Sequence, residues 1–335
     1  MKIDTSLPDD IDETQSGAVV AENSGYAGIW TSETKHDPFL QCLQAATATE
    51  TITVGTAIAV AFGRSPMTLA NAGYDLARYS RGRFVLGLGS QIKPHIERRF
   101  SMPWSAPAER MRELILATRA IWAAWHEGAA LDFRGDFYTH TLMTPFFTPK
   151  PHEFGPPPVY LAGVGEKMTE VAGEVADGFF VHPFTTMRYL EEVTIPALLR
   201  GRARAGRDDL DGFVINGPVF ATIGRTEEEL ANAVRATKAR IAFYGSTPAY
   251  RRVLEMHGWG EAQDELNVLS KQGRWDDMAD VITDEMLHEF SVVGTPAEVG
   301  PRLSAKVGNV YGRITFYGGY DAEASLWAEL LAAMD

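Results

Sequence analysis

Pro158-Val159-Tyr160-Leu161-Ala162, continuing through Gly163-Val164-Gly165-Glu166-Lys167-Met168-Thr169 and closing on Gly178-Phe179-Phe180-Val181, is the stretch that decides the fold. A short apolar run, a glycine turn, an amphipathic segment ending near Asp177 and a second apolar run read as strand, helix, strand. Neither apolar run alternates with polar residues, so both read as parallel strands buried on two faces and joined by a crossover helix. Working outward, the same unit recurs. Strands are expected at 2–7, 28–32, 51–60 and 83–89, with helices ending at 24, over 39–49, and from Pro66 to about 79. Beyond the deciding segment come a helix at 186–205, a strand at 213–221, helices at 226–242 and 296–307, a strand at 313–317 and a helix at 321–333. Eight strands in this alternation predict an α/β chain, a single (β/α)8 TIM-barrel domain over residues 1–335.

Three segments depart from the repeat. The loop over residues 90–107 is long and carries Lys93, His95, Arg98 and Arg99, and long structured loops are often functional. After a helix at 108–127, residues 131–138 read as a small hairpin turning at Arg134-Gly135-Asp136. Residues 244–292 have mixed charge, scattered aromatics (Trp259, Trp275) and no strand signal, which reads as a helical insertion before the last unit. Two roles stay open for it, a lid or a subunit interface.

Composition limits the functions available. Of the 335 residues, 45% are hydrophobic and 22% charged, enough apolar material for a large core. A net charge of -13 argues against nucleic acid and anionic membranes, which attract basic surfaces. Cys42 is the one cysteine, so an intrachain disulfide and a thiolate zinc site are both excluded. No run of 18 apolar residues and no apolar leader after Met1 is present, and a cytoplasmic protein is expected.

Four segments, in order, carry a resemblance to a known family: Gly25-Tyr26-Ala27-Gly28-Ile29-Trp30-Thr31-Ser32-Glu33, Ile52-Thr53-Val54-Gly55-Thr56-Ala57, Arg81-Gly82-Arg83-Phe84-Val85-Leu86-Gly87-Leu88-Gly89-Ser90, and Ala172-Gly173-Glu174-Val175-Ala176-Asp177-Gly178. Together they resemble the strand-end signatures of the luciferase-like superfamily, over about residues 1–240, and the nearest branch is that of F420-dependent oxidoreductases of actinobacterial type. The resemblance implies a barrel holding coenzyme F420, a small organic substrate and hydride transfer. FMN, with a luciferase-like monooxygenase reaction, is the alternative. It also implies a homodimer.

In such a barrel the residues directly after each strand face the site. The resemblance places Glu33 where an acidic residue stands near the deazaflavin, with His36, three positions on, as hydrogen-bonding or proton-donating partner. The other reading of Ser32 to Asp37 is a solvated loop with a helix cap at Asp37. Relatives carry a bulge with a non-proline cis peptide in strand three, which falls on Ala57-Ile58. Ser90, Gln91 and His95 are implied along the ring and ribityl chain.

Gly87-Leu88-Gly89-Ser90 lacks the third glycine and the immediate helix of a dinucleotide fingerprint. Gly163-Val164-Gly165, by contrast, opens a helix whose amides and dipole suit a phosphate, and in relatives this turn grips the cofactor phosphate, here Gly163, Gly165, Glu166 and Lys167. Tight strand-to-helix packing also favours glycine. His182, ending strand six, is a further acid/base candidate. Arg64 and His140 suit an anionic group of the substrate or the cofactor tail. Phe62, Trp104, Phe146 and Phe147 form either an apolar wall for the substrate or core. The 8 histidines are scattered singly, which disfavours a metal-dependent barrel hydrolase, and no metal is expected. A non-catalytic ligand-binding barrel is the remaining rival.

Overall fold

The computed structural model describes residues 1–320 and 322–334. Its parallel strands Lys2–Ser6, Gly28–Thr31, Thr53–Thr56, Phe84–Gly89, Val159–Ala162, Gly178–Phe180, Val214–Ile223 and Arg313–Tyr317 alternate with helices in the (β/α)8 order. Backbone contacts divide the chain into two compact units, one of residues 2–180 and 197–214, the other of Met1, 181–196 and 215–335.

In the first unit the six strands from Lys2–Ser6 to Gly178–Phe180 pair in sequence, each parallel to the next. Gly28–Thr31, Phe84–Gly89 and Gly178–Phe180 are buried throughout, as uninterrupted apolar runs require, whereas in the more polar Lys2–Ser6 only Asp4 is buried. The helices begin where side chains dictate. Asp37 caps Pro38–Ala48 through the Phe39 N–H, and Ser65 with Thr68 closes a capping box ahead of Pro66–Tyr79.

The strand expected at 51–60 is broken. It forms as Thr53–Thr56 and Ala59–Val60, with a cis peptide at Ala57-Ile58. Gly55 lies beside Val85 and Ala59 beside Leu88, so the four steps from 55 to 59 match three from 85 to 88. One extra residue is therefore accommodated, which is a β-bulge. The Thr56 hydroxyl bridges the gap, donating to the Gly87 carbonyl at 2.6 Å and accepting the Gly87 N–H at 2.9 Å. Only glycine fits at position 87, because a Cβ there would strike the Thr56 carbonyl and the Phe180 ring.

Carboxylates pin the loops of this unit. Glu113, 9% exposed, accepts the N–H groups of Asp136, Phe137 and Tyr138 and so holds the expected hairpin, Phe133–Arg134 against Thr139–His140. Glu22 accepts those of Glu50, Thr51 and Ile52. The 90–107 loop contains one short helix, Lys93–Arg98, and three of its residues, Gln91, Ser101 and Ala106, have left-handed φ values of 57°, 54° and 36°.

In the second unit Val214–Ile223 pairs in parallel with both Arg313–Tyr317 and Ser291–Gly294. The insertion at 244–292 is helical as expected, built of Arg251–Met256, Gly260–Lys271, Met278–Val281 and Asp284–Phe290. It packs on Glu227–Gly245 around Phe184, Ile241, Leu254, Leu266 and Phe290. The expectation that it holds no strand needs correction, since it ends in Ser291–Gly294. Four residues entered straight from a helix are too few to show a period.

The helix expected at 186–205 forms as Met187–Tyr189, a wider π turn over Leu190–Thr194, and Ile195–Arg204. Pro196 has no N–H to return to the preceding turn, which accounts for the widening. The last helix is Ala324–Ala332; residue 321, where it was expected to start, lies outside the described residues.

Candidate active site

In the first unit the chemistry-bearing groups beyond strand Gly28–Thr31 are charged and paired. Glu33 is 8% exposed, and its N–H donates to the Ile58 carbonyl at 3.1 Å. Its Oε2 accepts the Val60 N–H at 2.7 Å and Arg64 Nη1 at 2.5 Å, while Arg64 Nη2 reaches Asp37 Oδ2 at 2.8 Å. The guanidinium also lies over the Phe39 ring, 5.2 Å from its centroid. Burial works against the Arg64 charge, but the hydrogen bonds and charges of Glu33 and Asp37 outweigh it and raise its pKa. Glu33 and Arg64, read from sequence as catalytic and substrate-binding groups, are thus each other's partners, tied to the bulge by Ile58 and Val60. His36 is half-buried in the same turn and makes no hydrogen bond among the described residues.

Of the two readings of Phe62, the core is the one observed. It is 1% exposed, edge-on to Trp104 at 5.7 Å and under the Arg110 guanidinium at 5.1 Å, with no face left for a substrate. Phe146 and Phe147 are the opposite case, 89% and 69% exposed. His140 keeps its Nε2 buried without a partner among the described residues, and burial lowers its pKa. Ser90 and Gln91 directly follow strand Phe84–Gly89, with Gln91 Oε1 accepting the Ile92 N–H, whereas His95 is exposed on the short helix.

The glycine turn gives two different answers. A Cβ at Gly163 would crowd Met168 at 2.7 Å, so packing explains that glycine. Gly165 has open space around it and an ordinary extended backbone, φ -105° and ψ 148°, so packing does not explain this one. It precedes the ten-residue helix Glu166–Val175, whose N-terminus has no side-chain cap. Uncapped amides beside open space are a cradle for an anion. The Glu166 carboxylate meanwhile pairs with Arg200 at 3.2 Å, which leaves its backbone as the group on offer.

In the second unit the groups around His182 are neutral. His182 is stacked on Tyr250, with ring centroids 4.5 Å apart, and meets Tyr244 edge-on at 5.1 Å. Its Nδ1 accepts the Phe184 N–H at 3.1 Å and its Nε2 lies 3.0 Å from the Tyr250 hydroxyl. The Tyr244 and Tyr317 hydroxyls are 2.7 Å apart. Burial pushes the His182 pKa down to about 4 and raises those of Tyr244 and Tyr250. The three tyrosines escape the sequence reading. Tyr317, the last residue of its strand, carried a positional signal, but Tyr250 sits in the insertion and carried none.

Polar groups gathered at strand C-termini, with a glycine turn opening a helix, define the class: a (β/α)8 barrel of enzymatic type. The family model described as luciferase-like monooxygenase matches residues 2–310, and the chain belongs to that family, as its strand-end segments implied. It is 52% identical over 314 residues to an uncharacterized protein of Mycobacterium tuberculosis (strain ATCC 25618 / H37Rv), covering 94% of this chain and 92% of the relative. It is 29% identical over 292 residues to the 5,10-methylenetetrahydromethanopterin reductase of Archaeoglobus fulgidus, covering 85% and 83%. Among solved structures, the coenzyme F420-dependent tetrahydromethanopterin reductase from Methanopyrus kandleri matches with a TM-score of 0.77 and 21% identity, over 99% of this chain and 97% of that one. That likeness shows the shared fold.

Among the described residues no helix is long and apolar enough to cross a membrane. Among the same residues no group of three or more His, Cys, Asp or Glu side chains converges as a metal site would require.

Proposed function

We propose that the protein is an F420-dependent oxidoreductase acting on a small organic substrate. The observation that carries this reading is the uncapped helix Glu166–Val175 with Gly165 in open space, a cradle that the fold's own packing does not require. The name of the matching solved structure, a coenzyme F420-dependent reductase, supports the deazaflavin.

Gly163, Gly165 and the backbone amides of Glu166 and Lys167 would take the cofactor phosphate. Ala57 and Ile58 at the bulge, with Ser90, Gln91 and His95 beyond the neighbouring strand, would border the ring and its chain. When bound, the deazaflavin supplies or accepts a hydride. Glu33 and Arg64 serve by holding the bulge and the 32–37 turn in place, and the half-buried His36 keeps both ring nitrogens available for a polar group of the cofactor or substrate. His140, with its unpartnered Nε2, offers a substrate contact. In the other unit, His182 is the acid/base candidate.

The test is a fluorescence titration of the purified protein with coenzyme F420 and, separately, with FMN. Saturable binding of F420 alone is expected. Gly165→Asp should cap the helix and hold or slightly raise the melting temperature. The same change should weaken F420 binding by about tenfold or more, because a carboxylate then occupies the anion's place. Preference for FMN would move the protein to the monooxygenase reaction of its family, and binding of neither would sink the proposal.

A further inference from the structure

The unit that includes residues 215–335 contains a cavity of about 410 Å³, bounded by the first turns of helix Glu227–Gly245 and by the segment leading into helix Ala324–Ala332. Every described residue that lines it belongs to this unit. A water takes up about 30 Å³ of liquid, so the space holds roughly a dozen waters. That is the size of a small-molecule pocket and far more than a bare ion would fill.

Two bridges fix the walls. The Tyr320 hydroxyl accepts the Ile223 N–H at 2.8 Å and donates to the Ile223 carbonyl at 3.0 Å, so its ring stands as a wall with the polar end already spent. Arg225 donates to Ser325 at 2.8 Å and to Glu329 at 2.9 Å, which ties the end of strand Val214–Ile223 to helix Ala324–Ala332. A Cβ at Gly319 would strike the Ala236 carbonyl, so the two backbones already touch there and close no further. Ala233 and Ala236 are too small to fill the gap, and with Ile223, Leu326 and the Tyr320 ring they make an apolar floor.

The polar groups around that floor are unequal in sign. Arg225 is the one cation among the described lining residues, and Glu323 and Glu329 offset it. Glu229 gives one oxygen to the Arg225 N–H at 2.6 Å and keeps the other free. Glu323 spends only Oε2, and the Asn232 amide has no partner among the described residues. Three free acceptors and a surplus of negative charge beside an apolar floor suit a ligand with several donors, no acceptor and a carbon chain. An ammonium group, with three N–H donors and one positive charge, meets that description. We propose that this cavity binds a primary alkylammonium ion, its chain on Ile223, Leu326 and the Tyr320 ring and its nitrogen among Glu229, Asn232 and Glu323. The site shares no residue with the cofactor set named above and needs no cofactor to form.

The test uses full-length protein carrying carbon-13 methyl labels on isoleucine and leucine, without cofactor. It is titrated with butylammonium chloride and, in parallel, with butanol and sodium butyrate, which keep the chain and change the head group. The Ile223 and Leu326 methyl signals should shift saturably with butylammonium, with a Kd on the order of millimolar and at least about tenfold below that of butanol. Butyrate should leave them in place. Glu229→Gln keeps the shape and an acceptor for the Arg225 N–H, and should weaken butylammonium binding about three- to fivefold. Ala236→Leu fills the space and should abolish binding; if that variant does not fold, the three probes on the wild type and Glu229→Gln decide the matter. Butanol binding as tightly as butylammonium, the absence of a saturable shift at Ile223 and Leu326, or a titration that Glu229→Gln leaves unchanged would overturn the proposal.

Discussion

Two sets of polar side chains, one in each unit, solve opposite problems. In the unit of residues 2–180 and 197–214, Glu22, Glu33 and Glu113 all spend their carboxylates on backbone N–H groups, and Glu33 also neutralises Arg64. In the other unit, His182, Tyr244, Tyr250 and Tyr317 are uncharged and touch one another through ring edges and hydroxyls. Charge here fixes loops, and the neutral cluster is held by ring contacts and hydroxyls. A buried charge that finds its partners is too costly to release during a reaction, whereas a hydroxyl can exchange partners at about 1 kcal/mol.

That contrast can be broken most severely at Glu33. Glu33→Ala leaves Arg64, whose side chain is only 15% exposed, with Asp37 as its remaining carboxylate and deprives the Val60 N–H of its acceptor, and a loss of about 3 kcal/mol is expected in chemical denaturation. Replacing both partners by apolar residues, Glu33→Leu with Arg64→Met, should recover most of it. A loss below about 1 kcal/mol for the single change would mean that the pair behaves as a surface ion pair. The neutral side should respond more gently. Tyr317→Phe leaves the Tyr244 hydroxyl without its partner and should cost about 1 kcal/mol, with Tyr244→Phe added on top nearly without effect.

The smallest effect belongs to Glu22. Burial opposes its charge, yet the hydrogen bonds from Thr51, Ile52 and Glu50 prevail and bring its pKa down to about 2. Because the folded value lies below the unfolded one, this stabilisation is complete above about pH 4.5 and disappears as pH falls toward 2. Solvent screening of this partly exposed group limits it to about 1 kcal/mol. Wild type and Glu22→Gln, compared by denaturation between pH 6 and 2, should therefore converge in acid; a constant gap would show that shape, not charge, matters at this position.

The barrel was legible because parallel strands buried on two faces are written as plain apolar runs, and 158–181 shows one complete unit. Ser291–Gly294 was not legible, being four residues long and defined by its neighbours rather than by its own pattern. The site was legible by position and not by pairing. Glu33, Arg64 and His182 all stand after strands and were all singled out, but Glu33 and Arg64 are 31 residues apart and nothing local shows that they meet. Tyr250 was invisible for a different reason. It lies 68 residues from His182, inside a helical insertion where tyrosine has no marked place.

The bulge at Thr56 has a consequence for how this chain tolerates change. Side chains along a strand alternate between faces, so one supernumerary residue reverses the parity of everything after it. Ala59 and Val60 owe their facing, and the Val60 N–H its aim at Glu33, to a count of residues rather than to the identity of any one of them. Most single substitutions between 57 and 60 leave that count intact, whereas deletion of one residue there would turn the following segment over at once. What this stretch passes on to its descendants is above all a length.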